Sequence, residues 1–261
     1  MKTPVITIFV VCVLIVGLAL AFYDYRKHGA REQRLDITRS EADILKDTKE
    51  SGAEQSYRQN YEKAIDEYKR ALQLSPRDAY LHNDLGTAYY RLGLQSMEPA
   101  MEEGEFGFGI EVDARLEGSK PLKMAQEALK RTKSGIITAV VNNEADSKEI
   151  ETYARSLGHY AHAEEEQTED IGSKEFWLTI ITGKTNELFL EAEREYLKAI
   201  DIKSVKDGEG REYSNYSTAS RNLGTLYFRM GRKKDAIAQW RRALQIEPTD
   251  AELRNLLGKY E

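Results

Sequence analysis

In the stretch YEKAIDEYKRALQLSP (61–76), apolar positions fall at Tyr61, Ala64, Ile65, Tyr68, Ala71 and Leu72, the spacing of one helix face, and Pro76 ends the pattern. KKDAIAQWRRALQIEP (233–248) repeats the scheme with Ala236, Trp240 and Ala243, and stops at Pro248. Two nonapeptides, LGTAYYRLG (85–93) and LGTLYFRMG (223–231), also agree with each other. The second leads at once into 233–248, so each nonapeptide is predicted to end one helix and turn on its glycine into the next. Other stretches read differently. VITIFVVCVLIVGLALAF (5–22) carries no charge. EFGFGIEV (105–112) alternates, with Phe106, Phe108, Ile110 and Val112 on one side, which predicts a short strand or an extended loop. PLKMAQEALKRT (121–132) predicts a helix with proline in its first turn. GIITAVV (135–141) and FWLTIIT (176–182) are β-branched apolar runs, and periodicity leaves strand and buried helix equally open. The polar stretch 146–166 predicts a helix.

Paired helices with these small and large positions resemble the tetratricopeptide repeat, a helix-turn-helix unit of about 34 residues. Residues 217–250 carry the resemblance best. Leu223, Gly224 and Tyr227 stand on the first helix, Gly231 at the turn, Ala236, Trp240 and Ala243 on the second helix, and Pro248 at the close. Small residues let the helices approach and large ones fill the space between them. Residues 45–78 give a first unit with Gly52 in place, although Ser51 and Gln55 stand where the pattern wants Leu and Tyr. Residues 79–93, with Leu85, Gly86, Tyr89 and Gly93, give the first helix of a second unit. Its partner is expected at 186–204, where Ala192, Tyr196 and Ala199 repeat the small-aromatic-small spacing, with 121–132 as the alternative. That leaves an insertion at 94–185, a loop at 205–216, a third unit at 217–250 and a capping helix at 251–261. A lone unit cannot bury its apolar face and a stack of three can. The expected fold is all-α: a helical-repeat solenoid of about three units with a long insertion, plus one N-terminal transmembrane helix.

The transmembrane expectation rests on 5–22, between a tail at 1–4 and a juxtamembrane segment at 23–44. Those eighteen residues would span roughly 27 Å, close to a bilayer's hydrocarbon thickness. Tyrosines and charges follow, as at a membrane interface. A cleaved signal peptide is the competing reading, with Lys2 before the apolar run and Ala19–Ala21 as the cleavage pattern, but the run continues through that site. Val11 before Cys12 argues against a lipoprotein. Arg26, Lys27, Arg31 and Arg34 would hold the remainder in the cytoplasm, whereas a short N-terminus with one lysine is how exported anchored chains begin. The expected placement is a single-pass membrane protein with its larger part extracytoplasmic.

Charge and chemistry narrow the function. Charged residues make up 31% of the chain and the net charge is −6, with no basic block to track phosphates, so nucleic acid is not an expected partner. The single cysteine, Cys12, excludes disulfides, cysteine metal sites and a thiol nucleophile elsewhere. Gly104, Gly107 and Gly109 lack the strand–loop–helix order and the Lys-Ser/Thr of a phosphate loop. His159 and His162, beside Glu164, Glu165 and Glu166, read as a solvated helix face rather than a metal site, His82 reads as a packing residue, and His28 lies among juxtamembrane charges. No catalytic, cofactor or metal residues are expected, and no enzyme. The resemblance implies instead a concave groove lined by the second, fifth, ninth and twelfth positions of each unit: Tyr80, Asn83, Thr87 and Tyr90, then Thr218, Arg221, Thr225 and Phe228. Such a surface suits a peptide or a partner protein. The carboxylate clamp of one subclass is not expected, since Asp84 and Ala53 stand where it wants asparagine. The expectation is a membrane-anchored scaffold or adaptor, in a plan that resembles bacterial envelope assembly factors. One alternative is an enzyme or ligand-binding protein with its site in 94–185, marked by convergence of Phe106, Phe108, Trp177 and His162. A third reading is a homo-oligomeric spacer.

Overall fold

A computed structural model describes residues 40–97, 110–115, 121–167, 174–206, 212–214 and 216–260. The chain divides into two units, residues 1–48 and 49–261. In the first, residues 40–48 are helical, and the Thr48 hydroxyl bonds back to the carbonyls of Ile44 and Leu45 at 2.9 and 3.0 Å. The second holds everything else. Its helices are α1 (49–57), α2 (Tyr61–Leu74), α3 (Ala79–Gln95), α4 (Pro121–Arg131), α5 (Glu144–Ser156), α6 (Gly183–Ile202), α7 (Ser217–Arg229), α8 (Lys233–Ile246) and α9 (Ala251–Tyr260).

Helix pairing follows the small and large positions. α3 packs on α6 and α7 on α8, while α2 against α3, α6 against α7 and α8 against α9 continue the stack. The same close approach occurs three times. A β-carbon on Gly52 would stand 2.6 Å from the Tyr68 ring, one on Gly86 2.9 Å from the Tyr196 ring, and one on Gly224 2.5 Å from the Trp240 indole. Each aromatic lies flat over the space a side chain would need, and Ala192 and Ala236, both fully buried, let the backbones meet. The α7–α8 turn is made by Gly231 at φ 75°, whose N–H donates to the Phe228 carbonyl while Arg232 N–H donates to Tyr227. The α1–α2 turn repeats this geometry with Gln59 at φ 61°. Gly93, at the matching place on α3, makes no such turn. The helix continues past it to Gln95, and Gly93 instead admits the Phe189 ring of α6.

Between α3 and α6 the chain builds a sheet of β1 (Ile110–Arg115), β2 (Gly135–Val141), β3 (Tyr160–Gln167) and β4 (Lys174–Thr182) in the order β1-β2-β4-β3. β1 runs parallel to β2, and β4 runs antiparallel to β2 and β3. Ile137, Ala139 and Val141 of β2 and Phe176, Leu178 and Ile180 of β4 form a core with Ala125 and Leu129 of α4 and Ile150 and Ala154 of α5. The alternate residues face the opposite side, toward α6 and the α7–α8 turn. There a β-carbon on Gly231 would collide with Thr179, and the Ser134 hydroxyl meets that of Thr185 at 2.9 Å. A small hairpin, β5 (Ser204–Lys206) with β6 (Glu212–Ser214), precedes α7.

These findings correct several expectations. The fold is mostly helical and repeat-like but not all-α. GIITAVV and FWLTIIT are strands, buried on both faces apart from Trp177, which is 40% exposed. The stretch 146–166 is not one helix: α5 stops at Ser156, and Gly158 at φ 80° closes it, its N–H donating to Arg155 and that of His159 to Ala154. His162 and Glu164–Glu166 therefore lie on β3, alternating between its faces. The segment 121–132 forms α4 of the inserted unit, while α6 takes the place beside α3. The single-pass, extracytoplasmic placement is withdrawn: among the described residues no helix is long and apolar enough to cross a membrane, and 5–22 lies outside them. Phe106, Phe108 and the glycines at 104, 107 and 109 lie outside them as well.

Candidate functional site

Polar contacts join the first helices α1, α3, α7 and α9, each to the next. At α1–α3, Lys49 Nζ pairs with Asp78 Oδ2 at 2.5 Å. Asp78 also caps α3, its Oδ1 accepting the amides of Tyr80 and Leu81 at 3.0 and 3.2 Å. Burial alone would raise the Asp78 carboxyl, but the Lys49 ammonium and those amides outweigh it and hold the group below its ordinary value. At α7–α9 the same device returns. Arg221 Nη1 pairs with Asp250 Oδ2 at 3.1 Å, and Asp250 Oδ1 accepts the Leu253 amide at 2.9 Å. In both cases a cation bonds an aspartate 29 residues later that starts the next helix. At α3–α7 the contact is different: Asn222 Nδ2 donates to Asn83 Oδ1 at 3.0 Å.

The eight candidate residues occupy this face unequally. Tyr80 is 58% exposed, edge-on to Tyr216 with ring centroids 5.2 Å apart, and the Lys203 ammonium lies 4.6 Å over its ring. Thr218 is exposed at the start of α7. Asn83 is buried in the contact just described. Thr87 and Thr225 are half-buried, and their hydroxyls bond back to the carbonyls of Asn83 and Arg221 at 3.0 and 3.1 Å. Arg221 also reaches Glu252 at 2.7 Å, so two carboxylates hold its guanidinium. Tyr90 and Phe228 turn toward neighbouring helices. Tyr90 rests on Phe189 at 5.5 Å, and Phe228 packs between Trp240 at 5.7 Å and Tyr260 at 4.6 Å. Asp84 stands exposed among these groups, a residue whose position the sequence marks but whose role it does not. The paired spacing of Lys49 to Asp78 and Arg221 to Asp250 was visible in the sequence and accounts for Arg221 as a structural cation.

The inserted unit gathers titratable groups without gathering a site. An open cleft of about 400 Å³ is bordered by Glu151, His162, Glu164, Arg232 and Asp235. Burial holds the His162 imidazole below its usual value, against the pull of Glu164 and Glu151. Glu164 spends both oxygens on the amides of Lys233 and Lys234, at 2.7 and 3.1 Å, and so caps α8 from β3. Glu151 accepts from the Ala163 amide and from Arg155, and Arg232 is held by Glu193 and Asp235 over the Tyr227 ring. Among the described residues no three His, Cys, Asp or Glu side chains converge as metal ligands. His82 is buried in the stack, its Nδ1 2.5 Å from Glu195 Oε2 and its Nε2 3.1 Å from the Pro76 carbonyl.

Residues 57–93 and 224–260 match the family model described as TPR repeat. Those residues span α2 with α3, and α7 with α8 and α9. No curated protein matches the chain. Among solved structures, the first TPR of Spaghetti (RPAP3), bound to the HSP90 peptide SRMEEVD, is 14% identical with a TM-score of 0.41, covering 84% of this chain and 90% of that one. The Arabidopsis OM64 TPR domain is 13% identical with a TM-score of 0.40, over 84% and 96%. Pseudomonas aeruginosa pilF is 12% identical with a TM-score of 0.29, over 85% and 69%.

Proposed function

We propose that this protein is a binding scaffold whose first-helix face, with α3 and α7 at its centre, forms a concave groove that captures a peptide or an extended segment of a partner protein. The observation that carries this reading is the side-by-side placement of α3 and α7, which leaves Tyr80, Asp84 and Thr218 open on one face while the stack's apolar residues are buried behind them. Repeats of this family are protein-interaction modules, and in the inserted cleft Glu151, Glu164 and Arg232 are each bonded within the fold. The inserted unit fixes the stack: it leaves the end of α3, returns at α6 and caps α8.

Photocrosslinking from two positions tests this. A photoreactive residue at Thr218 should form adducts with a partner protein. The same residue at Met124, exposed on α4 of the inserted unit, should not. Adducts from 124 alone would transfer the binding function to the insertion.

A further inference from the structure

Two of the three junctions between first helices are closed by a cation and a capping aspartate, and the middle one is not. The residue on α3 matching Lys49 and Arg221 is Asn83, buried against Asn222. The residue matching Asp78 and Asp250 is Tyr216, which begins α7 without a side-chain cap bond. Beside them Asp84 presents an exposed carboxylate. Among the described residues its side-chain hydrogen bond comes from Asn83 Nδ2 at 3.3 Å, and no cation there pairs with it. Enclosure by the surrounding protein pushes this carboxyl up. The Asn83 bond opposes that, Asp78 adds to it, and Lys49 is too far committed to Asp78 to cancel it. The adjoining Tyr80–Tyr216 pair offers aromatic surface, and Lys203 over the Tyr80 ring shows that this surface accepts an ammonium group.

We propose that the α3–α7 junction receives a lysine or arginine side chain of an extended partner segment, whose cation pairs with Asp84 beside Tyr80 and Tyr216. The carboxylate is exposed enough to be reached and enclosed enough for the pairing to count. An acidic residue at this point would meet Asp84 and be rejected. The inference rests on the groove reading above and adds the sign of the charge that the groove selects.

The test is selection of random decapeptides displayed on phage against the full chain. The best peptide is then synthesised and titrated against wild type, Asp84→Asn and Thr218→Trp. Selected peptides should carry a lysine or arginine. Replacing that residue by glutamine should weaken binding about tenfold, Asp84→Asn should weaken the parent peptide by a similar factor, and the two losses should not add. Peptides that lack a basic residue, or that bind Asp84→Asn as well as wild type, would overturn the charge assignment, while loss of binding in Thr218→Trp would still leave the groove standing. Recovery of no peptide, or binding indifferent to Thr218→Trp, would remove both.

Discussion

In the repeat stack one lock recurs at the matching place of three helix pairs, an aromatic ring laid over a glycine: Tyr68 on Gly52, Tyr196 on Gly86 and Trp240 on Gly224, with Phe189 on Gly93 as a fourth instance elsewhere on α3. Among the described residues of the inserted unit, neither Gly135 nor Gly158 has a ring laid over it. Its core is assembled from β2 and β4, paired from Gly135–Thr182 to Val141–Phe176 across some forty residues of chain, with α4 and α5 laid on one side. Repetition makes the stack strict at a few positions and tolerant elsewhere, whereas the insertion spreads its demands over an ordinary core. The largest expected effect follows. Gly224→Leu places a side chain inside the Trp240 indole and 3.1 Å from the Ala236 carbonyl, with backbone on one side and a fully buried ring on the other. It should cost about 3 kcal/mol or more and lower the melting temperature by about 6 °C or more. Gly258 on α9 meets nothing within 4 Å, so Gly258→Ala should raise stability slightly. Equal melts for the two variants would show that the glycine positions in the stack are not locks.

The same contrast explains what could be read from sequence. A repeat announces itself by local spacing, so Gly86 with Tyr196, and Gly224 with Trp240, were legible although more than a hundred residues separate the first pair. The strands were not. GIITAVV and FWLTIIT lack a regular apolar–polar alternation because both faces of the sheet are covered there except at Trp177, and that removes the pattern by which a strand is recognised. The end of α5 is legible: Leu157-Gly158-His159 carries the glycine that a left-handed helix stop requires. On the candidate face, sequence placed Tyr80 and Thr218 on α3 and α7. It placed Arg221 in the groove, and a single first helix does not show the carboxylates of Asp250 and Glu252 that bond its guanidinium.

The second prediction separates the two regions. Ile150 is fully buried between α5 and the sheet. Ile150→Ala should cost about 2.5 kcal/mol. Amide hydrogen exchange should show the loss in β2 and β4 while α7 and α8 keep their protection. Uniform loss across both regions would mean that stack and insertion unfold as one unit, and the contrast would then apply to packing only.

A smaller effect tests the bond that joins them. Glu164 on β3 accepts the first two amides of α8, where the preceding residue, Arg232, supplies no side-chain cap. Glutamine can accept at only one oxygen and brings no charge to the helix dipole. Glu164→Gln should therefore cost about 1 kcal/mol and speed exchange in the first turn of α8. Unchanged exchange there would show that α8 is capped by solvent in solution.

The smallest effects compare two aspartates on one helix. Asp78 has its folded pKa held down by Lys49 and the α3 amides, so its contribution is present above the ordinary value near 3.8 and is lost as pH falls through the lower folded value. Asp84 has its folded pKa raised by enclosure. The folded state holds that proton more tightly than the unfolded chain does, so the contribution is present below the ordinary value and is lost as pH rises through the raised one. Asp78→Asn keeps a capping oxygen but loses the ion pair, and should lower the neutral-pH melt. Asp84→Asn should leave it level or slightly higher, within about 0.5 kcal/mol, and the difference from wild type should close as pH falls toward 4. Melts of both variants from pH 3 to 8 give opposite slopes if the two junctions differ as described. Parallel slopes would mean that Asp84 has found a cation within the chain, and the open place at the middle junction would be filled.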